Sequence, residues 1–346
     1  MQTLMGWQTG IRIDEAKEAV ATWQTIQTSE QTITDKELCK KICGNSLLAE
    51  VCRRRGVSWG WSPPWFYPFL CLRWMGRSLL FLLSFPLSLI SGIYANFWFM
   101  RKMAQLAPIT DVEKQALGDD FYRHHANRDK TVVKYLEEVQ REIRARSGSD
   151  VTTTIGETDG LASCHYNSWL HIVTLPKRIV DRSTSKTQET KYPPAIGKDT
   201  NGRRLFAYKL AIAAHECGHA EQRTFIVCWH VGTVVASIAV ALLCLFSPLA
   251  LFIEVALCIA LAIGVPAGQF LYEVNASRRG LANLVGLGYL TTPEEAEMAA
   301  HTLHVAASTY LLSLAMEVGR VGYQLLSLFA QNSRMQESNQ FARNLH

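Results

Sequence analysis

The stretch AAHECGHAEQ, residues 213–222, decides how the rest of this chain of 346 residues is interpreted. It places His215 and His219 four residues apart, with Glu216 directly after the first histidine. On a helix, side chains at i and i+4 share one face, so both imidazoles can reach a single metal ion. The neighbouring carboxylate can then take a proton from water, which makes Glu216 the candidate catalytic residue.

The sequence after this motif predicts a pair of membrane-spanning helices. No Lys or Arg occurs from residue 224 to residue 277, and most of the residues between are apolar. This length is too great for one span and suits two, with Ser247-Pro248 at the turn. We therefore predict a helical hairpin with arms at about 224–246 and 249–271.

A catalytic zinc site needs a third protein ligand and keeps a fourth position for water. The predicted hairpin returns the chain to the level of the motif, and Glu273 follows its second arm. We predict that Glu273 is this third ligand, because an acid at that depth is rare without a function. The alternative is an interfacial acid paired with Arg278 or Arg279.

Composition also favours a membrane protein. Charged residues make up 19% of the chain, below the roughly 25% of soluble domains, and 48% of residues are apolar. The net charge of +5 comes from dispersed basic residues, so we expect no nucleic-acid partner. The nine cysteines match neither a zinc ribbon nor a disulfide framework, and a reducing compartment fits them better.

The remaining segments predict further elements. We expect a first transmembrane helix at 78–100, a helix from about 129 to 148 and a last helix at about 294–330. We expect β-strands at 151–155 and 169–173, and a loop at 182–203. The predicted parts of the chain are an N-terminal helical extension (1–60), an aromatic interface segment with the first transmembrane helix (61–102), a soluble catalytic region (103–223), the hairpin (224–272), a third-ligand segment with the C-terminal helix (273–330) and a polar tail (331–346).

The distribution of positive charge predicts the orientation. Twenty Lys and Arg residues lie between Arg101 and Arg223, whereas the turn of the hairpin has none. By the positive-inside rule, the catalytic region faces the cytosol. The basic N-terminal region leaves open whether 78–100 crosses the membrane or re-enters it, and whether 294–330 spans fully.

Two segments together resemble a known family. HECGHAEQ followed by a hairpin and then EVNASRRGL, residues 273–281, is similar to the YugP-type neutral zinc metallopeptidases, which are membrane-embedded proteins. TLHVAASTYL, residues 302–311, resembles the helix that follows in those proteins. The ExxA spacing also looks like the HtpX-type and CAAX-prenyl proteases, whose motif ends in Asp where this chain has Ser277.

The resemblance implies a gluzincin site with bound Zn²⁺. His215, His219 and Glu273 would be the metal ligands, and Glu216 the general base. The segment GLASCHYNSWLHIVTL, residues 160–175, partly matches a family segment and makes His165 a candidate substrate-binding residue. It lacks the aspartates and the proline of that segment, which leaves the positioning of substrate open.

Further polar residues are weaker candidates. Tyr310 is a candidate oxyanion donor, with core packing as the alternative. His301 and His304 share a helix face and are either a second metal pair or, as we favour, packed polar histidines. We assign His230 and Glu254 to hydrogen bonding between helices. Cys217 points away from the two histidines and is not expected to be a ligand.

These observations together predict a mainly α, integral membrane protein with a small α+β, zincin-like catalytic region. The predicted activity is zinc-dependent hydrolysis of peptide bonds in a membrane or membrane-proximal polypeptide. The alternatives are a non-catalytic membrane scaffold that keeps the metal fold, and a prenyl-protein or quality-control protease. The N-terminal region is expected to pack against the body or to bind an unknown protein.

Overall fold

The fold is described from a computed structural model of the chain. The structure describes residues 11–27, 32–33, 35–59, 132–156, 164–176, 179, 198–246 and 251–344. These residues are mostly helical, with two small sheets, so the predicted mainly α class is confirmed. The predicted transmembrane helix at 78–100 and the aromatic segment before it lie outside the described residues.

The N-terminal region forms a small helical unit. It contains α1 (Ile13–Gln27), β1 (Thr32–Ile33), α2 (Lys36–Gly44), α3 (Ser46–Arg54) and β2 (Ser58–Trp59), with β1 parallel to β2. Asn45 separates α2 from α3 and caps α3 by accepting hydrogen bonds from the N–H groups of Leu47 and Leu48. Its amide also donates to the carbonyl of Glu15, which fixes α1 against α3.

A three-stranded sheet follows this unit in the described chain. Helix α4 (Val132–Ser147) ends as predicted at Gly148, whose φ of +68° favours glycine. The strands are β3 (Thr152–Gly156), β4 (His165–Asn167) and β5 (Ile172–Pro176). The order is β3–β5–β4, with β3 parallel and β4 antiparallel to β5, so β4 is an edge strand.

Two of the sequence predictions in this region are wrong. The predicted strand at 169–173 begins only at Ile172, because Asn167 accepts hydrogen bonds from the N–H groups of Trp169 and Leu170 and folds them into a turn. The predicted loop at 182–203 is wrong for its last six residues, which are helical from Lys198 onward, and its earlier part lies outside the described residues. There the polar composition favours a loop, but the segment continues into the buried helix that carries the motif.

Four long helices complete the fold. They are α5 (Lys198–Ala220), α6 (Arg223–Phe246), α7 (Leu251–Gly286) and α8 (Pro293–Asn344). Helix α5 packs against α7 and α8, which also pack against each other, and α4, β4 and β5 contact α5. The helix that carries the motif therefore lies at the centre of the core.

Helices α6 and α7 are long and apolar enough to cross a membrane, over Arg223–Cys244 and Ile253–Gly286. Only 6% of the apolar 18-residue stretch of α6 is buried against the rest of the chain. Its exposed side chains include Val234, Val235 and Ile238, which water would solvate poorly. A core helix of a soluble protein would instead be mostly buried.

The bounds of the last two helices differ from those predicted. Helix α7 does not end near residue 271 but continues to Gly286, with Pro266 inside it, so Glu273 lies within the second arm. Helix α8 continues to Asn344, through most of the predicted polar tail at 331–346. Polar composition therefore did not mark the end of this helix.

Candidate metal centre

Small residues bring helix α5 unusually close to helix α7. A Cβ atom placed on Gly218 would lie 2.1 Å from the carbonyl oxygen of Ala276, and one on Gly280 would lie 2.5 Å from that of Ala214. Each helix therefore contributes an alanine and a glycine four residues apart, and each glycine faces the alanine of the other helix. Such pairs of small residues let two helix backbones touch.

This crossing brings three potential ligand atoms together. Nε2 of His215, Nε2 of His219 and Oε2 of Glu273 lie 3.1 Å from one another in each of the three pairs. All three residues are buried, and they form the only cluster of three or more His, Cys, Asp or Glu ligands in the described part of the chain. The predicted third ligand thus lies beside the two histidines.

The triangle has the dimensions of a zinc site. Zinc bonds of about 2.0–2.1 Å at tetrahedral angles separate two ligand atoms by roughly 3.3 Å. A neutral imidazole Nε2 carries either one hydrogen or one lone pair, so hydrogen bonds cannot satisfy all three contacts at once. One cation accepts all three lone pairs, and the residues therefore fit a divalent metal with two nitrogen ligands and one oxygen ligand.

Ser277 orients the first histidine. Its Oγ lies 2.9 Å from Nδ1 of His215, and its side chain is fully buried one turn after Glu273 on α7. A partner on Nδ1 fixes the tautomer that presents Nε2 to the metal. Nδ1 of His219 is buried and has no hydrogen-bond partner among the described residues, so His215 is the more firmly held of the two.

Glu216 is within electrostatic range of His165. Burial raises the pKa of the Glu216 carboxyl above its usual range; the charges of His215 and His219 oppose this effect, and His165 also lowers the pKa. His165 begins the edge strand β4, which packs against α5. The structure therefore brings the candidate substrate residue within electrostatic range of the candidate base.

Tyr310 reaches the centre from helix α8. Its side chain is within electrostatic range of the two acids there: burial, followed by the charges of Glu273 and Glu216, raises the pKa of Tyr310 well above its usual value. The hydroxyl therefore keeps its proton and can donate it in a hydrogen bond. The ring of Tyr272 lies edge-on to His219, with 5.8 Å between the ring centroids.

The arginines after Glu273 do not pair with it. Arg278 donates to Oγ of Ser46, and Arg279 contacts Asn275 and Glu221. The alternative reading of Glu273 as an interfacial acid paired with these arginines is therefore wrong for this structure.

Glu221 is a buried acid near the centre that the sequence analysis missed. It pairs with Arg54 of α3 at 2.9 Å and accepts a hydrogen bond of 2.7 Å from Asn283 of α7. Arg146 and Arg279 also contact it. Its position two residues after His219 could have marked it as a candidate in the sequence. Its partner Arg54, however, lies 167 residues away.

The other candidates are not members of the ligand cluster. His304 is buried in α8, and among the described residues His301 and His304 do not belong to a cluster of three or more potential ligands. The ring of His230 lies edge-on to Tyr272, with 6.4 Å between the centroids. Cys217 is buried, and its electrostatic neighbours are Glu221 and Glu216.

Comparison with known families supports the same centre. Residues 200–329 match a family described as "Putative neutral zinc metallopeptidase". The matched part contains His215, Glu216, His219, Glu273 and Tyr310, and it supports the resemblance at the level of this family. The family implies Zn²⁺ as the metal, which the buried cluster could hold. No curated protein and no solved structure gives a match.

Proposed function

We propose that the chain is a membrane-embedded, zinc-dependent endopeptidase. The observation that carries the proposal is the mutual 3.1 Å separation of three buried ligand atoms, two from the HExxH helix and one from the apolar hairpin. The family match supports the zinc peptidase class, and two exposed apolar helices support the membrane location. The basic residues before α6 favour a catalytic region on the cytosolic side.

Three ligands from two helices leave room for water and for a substrate carbonyl. A zinc ion held by His215, His219 and Glu273 would supply Lewis acidity toward water and toward the carbonyl. Glu216 takes the proton from the attacking water and then passes it to the leaving amine. Ser277 holds His215 in the required tautomer, and Tyr310 orients Glu273 or donates to the carbonyl oxygen.

The substrate we propose is a polypeptide in extended conformation. Strand β4 is at the edge of the three-stranded sheet, and no other strand of the described chain pairs with its outer side. A substrate segment could add there as a further strand. His165 at its start lies near Glu216, so a peptide added along β4 would pass the base. A membrane or membrane-proximal protein is the proposed source of this segment.

The experiment compares wild type with Glu216→Gln, both purified in detergent with stoichiometric zinc. We expect the variant to keep zinc and to lose hydrolysis of a casein-type substrate by at least about a hundredfold. Glu254→Gln is the matched control, because it removes an acid from α7 far along the chain from the ligands. Equal activity of wild type and Glu216→Gln would reject the peptidase and favour the non-catalytic scaffold.

Substrate class is tested separately. Profiling of cleaved peptides and of prenylated peptides distinguishes a general endopeptidase from a prenyl-protein protease. Cleavage only next to a prenylated cysteine would replace the proposal with that alternative, whereas cleavage within unmodified sequence supports it.

A further inference from the structure

The turn between β4 and β5 exposes two large apolar side chains. Its four residues, 168–171, connect Asn167 to Ile172, which are paired across the sheet. Trp169 is 62% exposed and Leu170 is 67% exposed, although both are bulky and apolar. Two adjacent exposed apolar residues at the end of a hairpin are uncommon on a surface that faces only water.

The turn is held in one conformation. Asn167 accepts hydrogen bonds of 3.1 and 3.0 Å from the N–H groups of Trp169 and Leu170. His171 adopts a φ of +58°, and its Nδ1 lies 2.5 Å from the hydroxyl of Tyr166. Because these contacts fix the backbone, the turn itself holds the two apolar side chains in their exposed positions.

The same turn is attached to the first candidate membrane helix. Arg223, the first residue of α6, donates from Nε to the carbonyl of Ser168 at 3.1 Å and from Nη2 to that of Trp169 at 3.4 Å. Phe225, two residues further on, is 52% exposed and begins the apolar surface of α6. The end of the hairpin therefore lies at the level where that apolar surface starts.

We propose that residues 168–171 form a membrane-insertion turn that places Trp169 and Leu170 in the interfacial layer of the lipid bilayer. The inference rests on the membrane location in the proposed function. Tryptophan prefers this layer, since its ring is apolar and its N–H can still reach water or headgroups. Arg223 can extend toward lipid phosphates while it holds the turn.

The insertion turn places the candidate centre close to the bilayer surface. Strand β4 has three residues and spans roughly 10 Å, with the turn at one end and His165, near Glu216, at the other. A substrate strand added along β4 would therefore come from the first layer above the lipid.

The test measures tryptophan quenching by brominated lipid and needs no proteolysis. The full chain is reconstituted into vesicles of palmitoyl-oleoyl-phosphatidylcholine and into matched vesicles whose acyl chains carry bromine at carbons 6 and 7. Wild type is compared with Trp169→Phe, with Trp229→Phe in α6 and with Trp23→Phe in the buried core of α1. The difference between each variant and wild type gives the quenching of that one tryptophan.

We expect Trp169 and Trp229 each to contribute to the quenched signal and Trp23 to contribute none. Quenching of Trp229 without quenching of Trp169 would overturn the insertion turn and leave the membrane location standing; the exposed pair would then fit a protein partner. Absence of quenching for both would overturn the insertion turn together with the membrane location. Neither result depends on whether the chain cleaves peptides.

Discussion

Oγ of Ser277 lies 2.9 Å from Nδ1 of His215, on the ring edge opposite the nitrogen that faces Glu273 and His219. The serine and the acid share helix α7, so one element supplies both a ligand and the group that orients another ligand. Groups of this kind typically change metal affinity by 10- to 100-fold when they are removed.

We predict that Ser277→Ala weakens zinc binding by roughly 10- to 100-fold. The reason is the loss of the partner that fixes the His215 tautomer. Competition with a chromogenic chelator measures the affinity. Ser313→Ala, on the exposed side of α8, is the control, since that hydroxyl donates to the carbonyl of Thr309 within its own helix. Unchanged affinity in Ser277→Ala would show that the hydrogen bond does not orient the ligand.

Gly218→Ala should separate the two ligand-bearing helices. The added methyl group would lie 2.1 Å from the backbone carbonyl of Ala276, which cannot move without shifting α7. We expect a lower thermal midpoint, by several degrees, together with weaker zinc binding. Gly264→Ala, in α7, adds a methyl group with nothing within 4 Å and should be nearly neutral. A variant Gly218→Ala with wild-type zinc affinity would contradict the close crossing.

Arg54→Met should destabilise the fold by about 1–3 kcal/mol, because it removes the closest of the three arginines that contact the Glu221 carboxylate. Only 5% of the Arg54 side chain and 7% of the Glu221 side chain are exposed. Arg53→Met is the matched control; that side chain is 69% exposed and should change stability by about 0.5 kcal/mol or less.

Thermal unfolding in detergent measures both of these variants. Combining Arg54→Met with Glu221→Gln should recover part of the loss, since the carboxylate that lost its closest cation is then replaced by a neutral amide. A double variant less stable than Arg54→Met alone would argue against a charge-based cause.

Tyr310→Phe should lower peptide hydrolysis by roughly tenfold or more, because it removes a hydroxyl within electrostatic range of Glu273 and Glu216. Zinc affinity is measured in parallel. A fall in zinc affinity supports orientation of Glu273, and a fall in kcat alone supports donation to the substrate. Tyr323→Phe, at a position on α8 that is 74% exposed, is the control. Unaltered hydrolysis and unaltered zinc binding would return Tyr310 to a packing role.

Acid should destabilise the fold through His304. Burial, followed by the charge of His301, lowers the pKa of His304 to about 4, against 6.5 for an ordinary histidine. The unfolded chain takes up the proton below about pH 6.5, but the folded chain does so only near pH 4. Stability is therefore fully present above pH 6.5 and falls by about 3 kcal/mol as the pH drops to about 4.

The measurement follows the thermal midpoint of metal-free wild type and His304→Gln between pH 7 and pH 4. Metal-free protein is used so that release of zinc from the two ligand histidines does not contribute. We expect a shallower pH dependence in His304→Gln, while His230→Gln should follow wild type. Parallel curves for wild type and His304→Gln would disprove this source of acid sensitivity.

The ligand cluster could be predicted because its geometry is largely local. The i, i+4 spacing of His215 and His219 fixes their common face on any helix, and an apolar hairpin must return near its start. The small residues at the helix crossing were also visible, as Ala214 with Gly218 and Ala276 with Gly280, but one sequence does not show that the two pairs meet. Their contact depends on how α5 and α7 cross.

Other features depend on contacts between distant parts of the chain. The pairing of Arg54 with Glu221 joins residues 167 positions apart, and no pattern in either segment indicates it. The β-type run at Trp169 and Leu170 predicted a strand, yet one asparagine side chain turns both residues out of the sheet. Local hydrogen bonding outweighed strand propensity there.

Helix α7 is continuous for 36 residues, about 54 Å, and it carries Glu273 toward one end and Glu254 near the other. In the proposed membrane location, lipid tails surround one half of helix α7, and the other half supplies a zinc ligand. A tilt imposed by a thinner or thicker bilayer would displace the carboxylate relative to the two imidazoles. The lipid around one half of α7 would thereby bear on how the other half presents its carboxylate.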